Sequence, residues 1–463
     1  MKNRRSFIKK SSMGIIGASL LSPFYNSSAK SYSRILGSND RITLAFQGLV
    51  RRFPGLLNSS LKMKNVEIKY FCDVMNKQLD KANQRYYNLT KQKVSSEKDI
   101  HKIIEDKDVD ALIIATPDHW HTYAACKGME AGKHIYLEKP CSHNLRESEL
   151  LVNYQSYYNK SVQMGNQQRS SYETADLIKL LHNGIIGDLN KAEAYYNNNR
   201  PRVPNQIKAP IPDGLDWDLF QGPSKRKSYT FDTWDYNWRW YGWDFGTGEA
   251  GNNATHELDI ARWALDVHYP ESVDVYSSKN HFIDDGWTMY DTMEAKFHFP
   301  NNLKIDWNCH SRNAHFSRTL GGRGTVIYGS MGSALVNRNG YTVYDLNGKE
   351  IKNSISDDKE SGIQLGGGGN MTTKHFRNFF NSIRNGEKLN SPINDAVISQ
   401  SMVHYANLAH RSGKSFKIDS QNGNIIDKKI KKKFWSREYE KGWDISFVLY
   451  FLNICHKLEL GYP

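Results

Sequence analysis

Cysteine is scarce and unpatterned. Cys72, Cys126, Cys141, Cys309 and Cys455 are odd in number and lack metal-ligand spacing, which excludes a disulfide framework and a zinc module as organising devices. Cys72 and Cys126 fall in a strand-like run and a helix and read as buried thiols. No metal-binding cluster stands out among the sixteen histidines, and no metal is expected. Neither apolar run, Met13–Leu21 or Ile445–Leu452, approaches the roughly 20 residues needed to cross a bilayer. Internal repeats are absent, which excludes a repeat architecture. The net charge of +13 comes without a recognised nucleic-acid motif. Its excess gathers in the first ten residues and in Lys428–Lys433 and is otherwise dispersed, the pattern of a solvated surface, so no nucleic-acid partner is expected.

What is present is enough for a folded protein of more than one domain. The chain has 463 residues, 39% of them hydrophobic, too many for one ordinary core and too apolar for general disorder. Asn3-Arg-Arg-Ser-Phe-Ile-Lys9, followed by the apolar stretch to Leu21, reads as a twin-arginine export signal, with cleavage expected near Ser27-Ser-Ala29. Residues 1–29 are therefore set aside as signal and 30–40 as linker, and a periplasmic or otherwise exported location is expected. That route carries folded proteins, which suits a protein loaded with cofactor before it leaves the cytoplasm.

From Arg41 to about residue 165, short strand-like runs alternate with helical stretches. The runs are Ile42–Phe46, Val66–Phe71, Val109–Ile114, His134–Leu137 and Ser161–Met164. This alternation predicts βαβ units and a parallel, doubly wound sheet of Rossmann type over 41–165. After about Gln168 the character changes. A helix is predicted to end at Asn183-Gly184, and β-type alternation follows in Lys191–Tyr196, Ser272–Tyr276, Thr292–His298, Lys304–Trp307, Gly324–Tyr328 and Tyr341–Tyr344. Residues 166–420 are thus expected to form an α+β domain with a large, mostly antiparallel open sheet, and 421–463 a C-terminal tail. Gly366–Gly369 reads as a flexible joint. Phe376, Phe379, Phe380 and Ile383 beyond it have the spacing of a core-facing helix.

Residues 41–73 form a candidate dinucleotide-binding unit. Gly48 closes the first strand and Asp73 ends the second, 25 residues later. An acid there accepts hydrogen bonds from ribose hydroxyls and repels a 2′-phosphate, favouring NAD over NADP. The glycine fingerprint is damaged, because Val50 and Phe53 stand where its second and third glycines would be. Arg51 and Arg52 can offset the loss by pairing with phosphate oxygens.

Two further peptides lie where predicted strands run out into loops, the edge at which open parallel sheets bind ligands: Ala115-Thr-Pro-Asp-His-Trp-His121 and Glu138-Lys-Pro140. At this spacing they resemble the Gfo/Idh/MocA family, which contains glucose–fructose oxidoreductase, inositol dehydrogenase and many sugar dehydrogenases. The resemblance continues through Gln163–Arg169, Gly214–Leu219, Asn237–Tyr241 and Gly248–Trp263, and covers roughly residues 40 to 443.

The resemblance implies roles. Lys139 is expected near both nicotinamide and the reacting hydroxyl, and His256 is expected as the general base, an imidazole being able to take and return a proton near neutrality. Thr116, Pro117 and His119 are expected to pass the cofactor, with Gly48, Asp73, Glu138 and Gln167. His121 is expected to open the next helix, and Glu138 to brace its loop rather than react. Arg169 can reach substrate hydroxyls. Many relatives carry an aspartate where this chain has Asn252, which orients but takes no proton at neutral pH. Asp259 either tunes His256 from the same helical face or is a helix-surface acid. Trp234, Tyr236, Trp238, Trp240, Tyr241 and Trp243 are either a sugar-stacking wall or interdomain packing.

The function implied is that of an exported NAD-dependent oxidoreductase, oxidising a secondary alcohol of a carbohydrate or polyol by hydride transfer. Free NAD is scarce outside the cytoplasm, so the cofactor is expected to stay bound and be recycled in place. An NAD-dependent glycoside hydrolase, oxidising C3 transiently so that the glycosidic bond eliminates, is the alternative. It needs a base near C2 that Asn252 cannot supply, leaving Tyr195, Tyr196, Tyr236 and Tyr241 as candidates. A non-catalytic sugar-binding protein on a decayed Rossmann scaffold is the remaining one. The expected partners are a small carbohydrate, the twin-arginine export machinery and further copies of the chain as a homo-oligomer.

Overall fold

A computed structural model of the protein describes residues 40–314, 321–355 and 369–445. The export signal, the linker to residue 39, residues 366–368 of the glycine joint, Cys455 and the apolar run beyond Ile445 lie outside the described residues.

The first sheet has six parallel strands: β1 (Ile42–Gln47), β2 (Val66–Cys72), β3 (Ser95–Glu97), β4 (Ala111–Ile114), β5 (His134–Leu137) and β6 (Val162–Met164). Their spatial order, β3-β2-β1-β4-β5-β6, reverses direction at β1/β4. A ligand crevice is expected at that switch point, beyond the carboxyl ends of the strands. β1 and β4 are buried on both faces, and β4, Ala-Leu-Ile-Ile, is accordingly an unbroken apolar run.

The damaged glycine fingerprint has a packing explanation. Helix α1 (Phe53–Leu61) starts with Phe53 turned into the core, where its ring meets Phe46 at 5.5 Å and Phe71 at 5.1 Å, both edge-to-face. An aromatic cluster thus fills the helix–sheet interface where a glycine would allow close approach.

The second sheet has nine strands in the order β14-β13-β12-β11-β7-β10-β9-β8-β15. They are β7 (Leu189–Asn197), β8 (Ser272–Ser278), β9 (Thr292–His298), β10 (Lys304–His310), β11 (Arg323–Gly329), β12 (Gly332–Asn337), β13 (Gly340–Asp345), β14 (Glu350–Ile355) and β15 (Phe416–Lys417). All neighbours pair antiparallel except β7 and β10. Its inward residues, among them Ala192 and Trp307, pack on helix α2 (Thr255–Leu265). The expected α/β architecture, a Rossmann sheet followed by a domain with a mostly antiparallel sheet, is the one observed.

The chain then returns. Helix α3 (Gly369–Asn385) seats Phe376, Phe379 and Phe380 in the cluster that holds Ile42, Leu44 and Phe46 of β1. Helix α4 (Ile393–Ser412) places Ile393 and Val397 against the other face of the same sheet. These buried phenylalanines are core, as their spacing predicts, but the core they join is that of the first sheet. Cys72 and Cys126 are buried thiols.

Candidate active site

A cleft of about 350 Å³ opens beyond the carboxyl ends of β1, β2, β4 and β5. Gly48 follows β1 with φ +88°, and a Cβ there would stand 2.6 Å from the carbonyl carbon of Ala115. Only glycine fits this turn, which lets the β1 and β4 loops touch. Thr116 and Pro117 line the cleft, and Thr116 Oγ1 is buried with no partner among the described residues. An orphaned hydroxyl in a cleft wall is a polar atom waiting for a ligand. Asp73 lines it at the end of β2. Its two carboxylate oxygens accept from Leu49 N at 2.9 Å and Met75 N at 3.0 Å, and burial raises its pKa to about 6.

The loop after β5 carries Glu138 and Lys139, whose bond to Pro140 is cis. Glu138 is held from two sides. Arg52 Nε and Gln167 Nε2 each donate to its Oε1 at 2.9 Å. Gln167 also donates to Tyr136 Oη at 2.8 Å, so both line the cleft while bracing the loop, as expected of Glu138. His121 ties the two loops together, Nδ1 lying 2.6 Å from Pro140 O and Nε2 2.9 Å from Thr116 O.

Lys139 Nζ donates to the Asn252 carbonyl at 2.6 Å. That carbonyl belongs to a turn of π-helix, Ala250–Ala254, which leads directly into α2. Such irregular turns recur where a helix delivers functional groups. Burial, then the neighbouring Arg239, lower the Lys139 pKa to about 7. One residue into α2's first turn stands His256, lining the same cleft. Burial first, then Arg338, Lys139 and Arg323, hold its pKa well below the ordinary value, so it is neutral at pH 7. Its ring makes no hydrogen bond among the described residues. The structure therefore brings Lys139, His256 and Asn252 into one cleft with Gly48, Asp73 and Thr116.

Three expected site residues lie elsewhere. His119 is fully buried away from the cleft, with Nε2 2.8 Å from Phe220 O and Nδ1 3.3 Å from Phe245 O. It fastens the segment 217–245 to the first sheet, and burial lowers its pKa to about 3. Arg169 and Asp259 face each other instead of a substrate. Arg169 Nε and Nη2 donate to the two Asp259 oxygens at 2.8 and 2.9 Å, with side-chain exposures of 9% and 1%. Asp395 and Ser399 of α4 complete this buried network, so Asp259 is neither a surface acid nor a partner of His256. The sides of α2 are nearly all buried, and the one bearing Asp259 meets α4.

The aromatic segment divides. Trp234, Tyr236 and Trp238 line the cleft. Trp240 stacks on Trp287 at 4.1 Å, Tyr241 donates to Pro204 O at 2.9 Å, and Trp243 packs near His410. Four arginines the motifs did not single out also line the cleft: Arg200, Arg239, Arg323 and Arg338. Arg200 pairs with buried Glu249 at 2.7 Å and donates to Tyr236 Oη at 3.1 Å and Tyr196 Oη at 3.0 Å. Burial would raise the Tyr236 phenol, but Arg200 and Arg239 outweigh it and lower its pKa.

Comparison with known proteins identifies the family and the fold. Residues 53–166 match the Gfo/Idh/MocA description "Oxidoreductase family, NAD-binding Rossmann fold", and residues 178–418 match "Oxidoreductase family, C-terminal alpha/beta domain". A glycosyl hydrolase family 109 protein of Shewanella pealeana is 27% identical over 209 residues, 42% of this chain and 46% of that protein. One from Solibacter usitatus is 25% identical over 205 residues, with the same coverage. The chain thus spans about half the length of the curated relatives it matches. The aldose-aldose oxidoreductase of Caulobacter crescentus superposes with a TM-score of 0.62 at 14% identity, over 82% of this chain and 100% of that one. A levoglucosan dehydrogenase, solved with NADH and levoglucosan, superposes with a TM-score of 0.60 at 18% identity, over 81% and 99%. At such identities the likeness is one of fold.

Proposed function

The chain belongs to the Gfo/Idh/MocA oxidoreductase family and carries its NAD-binding Rossmann fold, and from that premise we propose that it oxidises a secondary alcohol of a carbohydrate or polyol with NAD rather than NADP. The observation that carries this reading is the meeting of Lys139 and His256 in one cleft with Gly48, Asp73 and the orphaned Thr116 hydroxyl. Asp73 accepts the ribose hydroxyls and disfavours a 2′-phosphate. Gly48 leaves the backbone bare for the pyrophosphate, and Arg51 offers it charge. When bound, NAD would supply the acceptor for the hydride of the carbinol carbon.

The protein's own groups handle the oxygen. Neutral His256 accepts the hydroxyl proton, since no hydrogen bond from the described residues occupies its ring. Lys139 as ammonium stabilises the developing alkoxide, and the Asn252 carbonyl orients it. A pKa near 7 makes this lysine an acid matched to neutral pH. The twin-arginine reading of residues 1–29 adds export, and with it a cofactor retained through turnover.

A redox-neutral glycoside hydrolase is the second reading, and Tyr236 favours it. Of the candidate bases, Tyr241 is engaged by Pro204 and Asp232, and burial and Glu249 raise Tyr196 to about 12. Tyr236 alone of these lines the cleft with a lowered pKa, as a C2 base requires. The relatives named glycosyl hydrolase family 109 support the same reading.

One experiment tests both. The purified protein is denatured and the supernatant assayed for nicotinamide dinucleotide; its absence, with no spectral change on adding NAD, refutes both readings. With cofactor present, leaving-group release from aryl glycosides without net NADH selects the hydrolase. Substrate oxidation without such release selects the oxidoreductase.

A further inference from the structure

The charges in the cleft are unevenly matched. Arg52 is neutralised by Glu138, Arg200 by Glu249 and Arg323 by Glu257, the last through Nε at 2.6 Å. Arg239 and Arg338 have no carboxylate partner among the described residues. Arg239 stacks between rings, its guanidinium carbon 4.0 Å from the Trp238 centroid and 4.6 Å from that of Tyr236. It spends one N–H on Tyr236 O at 3.1 Å, out of five a guanidinium offers. Arg338 stands on the turn between β12 and β13. Both are half-buried, where an unmatched cation is costly unless a ligand matches it.

Arg239 and Arg338 come from the second domain and stand beside the reacting groups: after burial, Arg239 is the next cause that lowers the pKa of Lys139, and Arg338 the next that lowers that of His256. Asp118 acts on Arg239, and Glu257 and Glu138 act on Arg338, only at a distance, without an ion pair. Asp73 accepts from Leu49 and Met75 at the far edge, and Asp118 accepts from Thr247 N and Oγ1 at 3.0 and 2.7 Å. Asp235 is exposed on the rim.

We infer that the sugar taken by this site is an anion, a uronate or a sulfate ester, whose charged group is held by Arg239 and Arg338 beside Lys139 and His256. The inference rests on the carbohydrate reading above and narrows it. A planar guanidinium presents paired N–H groups to a carboxylate or sulfate and discriminates against a neutral hydroxymethyl group. Such an anion also returns basicity to His256, because it offsets the cations that depress it.

The test uses the full chain with its cofactor. Glucuronate, galacturonate and a sulfated galactose are each compared with the neutral parent sugar, by nicotinamide absorbance for turnover and calorimetry for binding. The expected result is at least a tenfold preference for an anionic member, weakening as salt rises. Arg239→Gln and Arg338→Gln should each lower that preference about 10- to 100-fold, the range of a charge-assisted hydrogen bond, while cofactor content stays unchanged. The uronate and sulfate arms identify which oxyanion is read. Equal or better use of the neutral sugars overturns the inference and leaves the carbohydrate reading standing. Loss of cofactor from either variant also overturns it, because these arginines would then serve the pyrophosphate. If no sugar alters the nicotinamide, the net-oxidation reading fails for these sugars. Calorimetry then decides the inference alone: arginine-dependent binding of the anions supports it, and no binding overturns it.

Discussion

Replacing Lys139 by methionine, a side chain of similar length without charge, should stabilise this protein at acid pH while destroying its activity. Lys139 has a pKa of about 7 in the folded protein against an ordinary 10.5, burial being the largest cause and Arg239 the next. Between those values the unfolded chain binds more protons than the folded one. The lysine therefore makes stability rise with pH from about 7 to about 10.5, and its full penalty is present below 7. The gap between 10.5 and about 7 corresponds to about 5 kcal/mol. Methionine removes that penalty but leaves the Asn252 carbonyl without its donor, a cost of about 1–3 kcal/mol. A net gain of about 2–4 kcal/mol is expected at pH 6. At pH 10 the ammonium penalty has mostly gone, and the variant should be the less stable protein. The contrast between the two pH values, about 4 kcal/mol, does not depend on the lost hydrogen bond, since the carbonyl is equally bare at both. Urea midpoints of wild type and Lys139→Met, stripped of cofactor alike, measure it at pH 6 and pH 10. A variant less stable at pH 6, or an effect equal at both pH values, refutes a buried lysine of lowered pKa and the acid–base role built on it.

Because the reading uses the ammonium form of Lys139, kcat/KM should fall as pH rises through about 7; a rise through the same pH would make the free amine the base. Gly48→Ala forces a Cβ to 2.6 Å from the Ala115 carbonyl carbon at φ +88°, so bound cofactor should be lost; an alanine variant purifying with full cofactor content contradicts the site. Asp259→Asn leaves Arg169 with Asp395 as its one carboxylate partner among the described residues and should cost about 1.5–3 kcal/mol in chemical denaturation; unchanged stability with a raised KM would restore Asp259 to the substrate. Tyr236→Phe should abolish aryl glycoside cleavage while sparing alcohol oxidation, and equal loss of both would remove the tyrosine's special role.

The parts of this fold legible in the sequence are those where one local pattern determines one face. β5 and β9 occupy the residues predicted for them, the first a continuous apolar run and the second a strict alternation. β3 and β14 went unread for the opposite reason. Both are edge strands, and Ser95–Glu97 and Glu350–Ile355 bury nothing fully, so no apolar alternation marks them. β12 does alternate, Gly332, Ala334 and Val336 facing inward, but two of its three buried positions are too small to stand out. The return of α3 to the first sheet is unreadable locally. Its phenylalanines declare a buried face, and nothing in their spacing names the core that receives it.

The site follows the same division. Gly48, Thr116, Glu138 and Lys139 were legible because strand ends deliver them, and the parallel topology brings those ends together whatever the side chains. His256 needed the motif around it, since an isolated histidine at a helix start carries no address. The arginines show the limit most clearly. Arg200, Arg239, Arg323 and Arg338 come from four separate segments; Arg239 lies inside the Asn237–Tyr241 peptide, and the other three are indistinguishable along the chain from the dispersed charge of a basic protein. Only the fold converts them into a local excess, and only pairing distinguishes Arg200 and Arg323, which have their own glutamates, from Arg239 and Arg338, which have none among the described residues. A sequence reports how many charges a chain carries; which of them lack a counter-charge is decided by tertiary structure. In an active-site cleft, the unmatched ones describe the ligand.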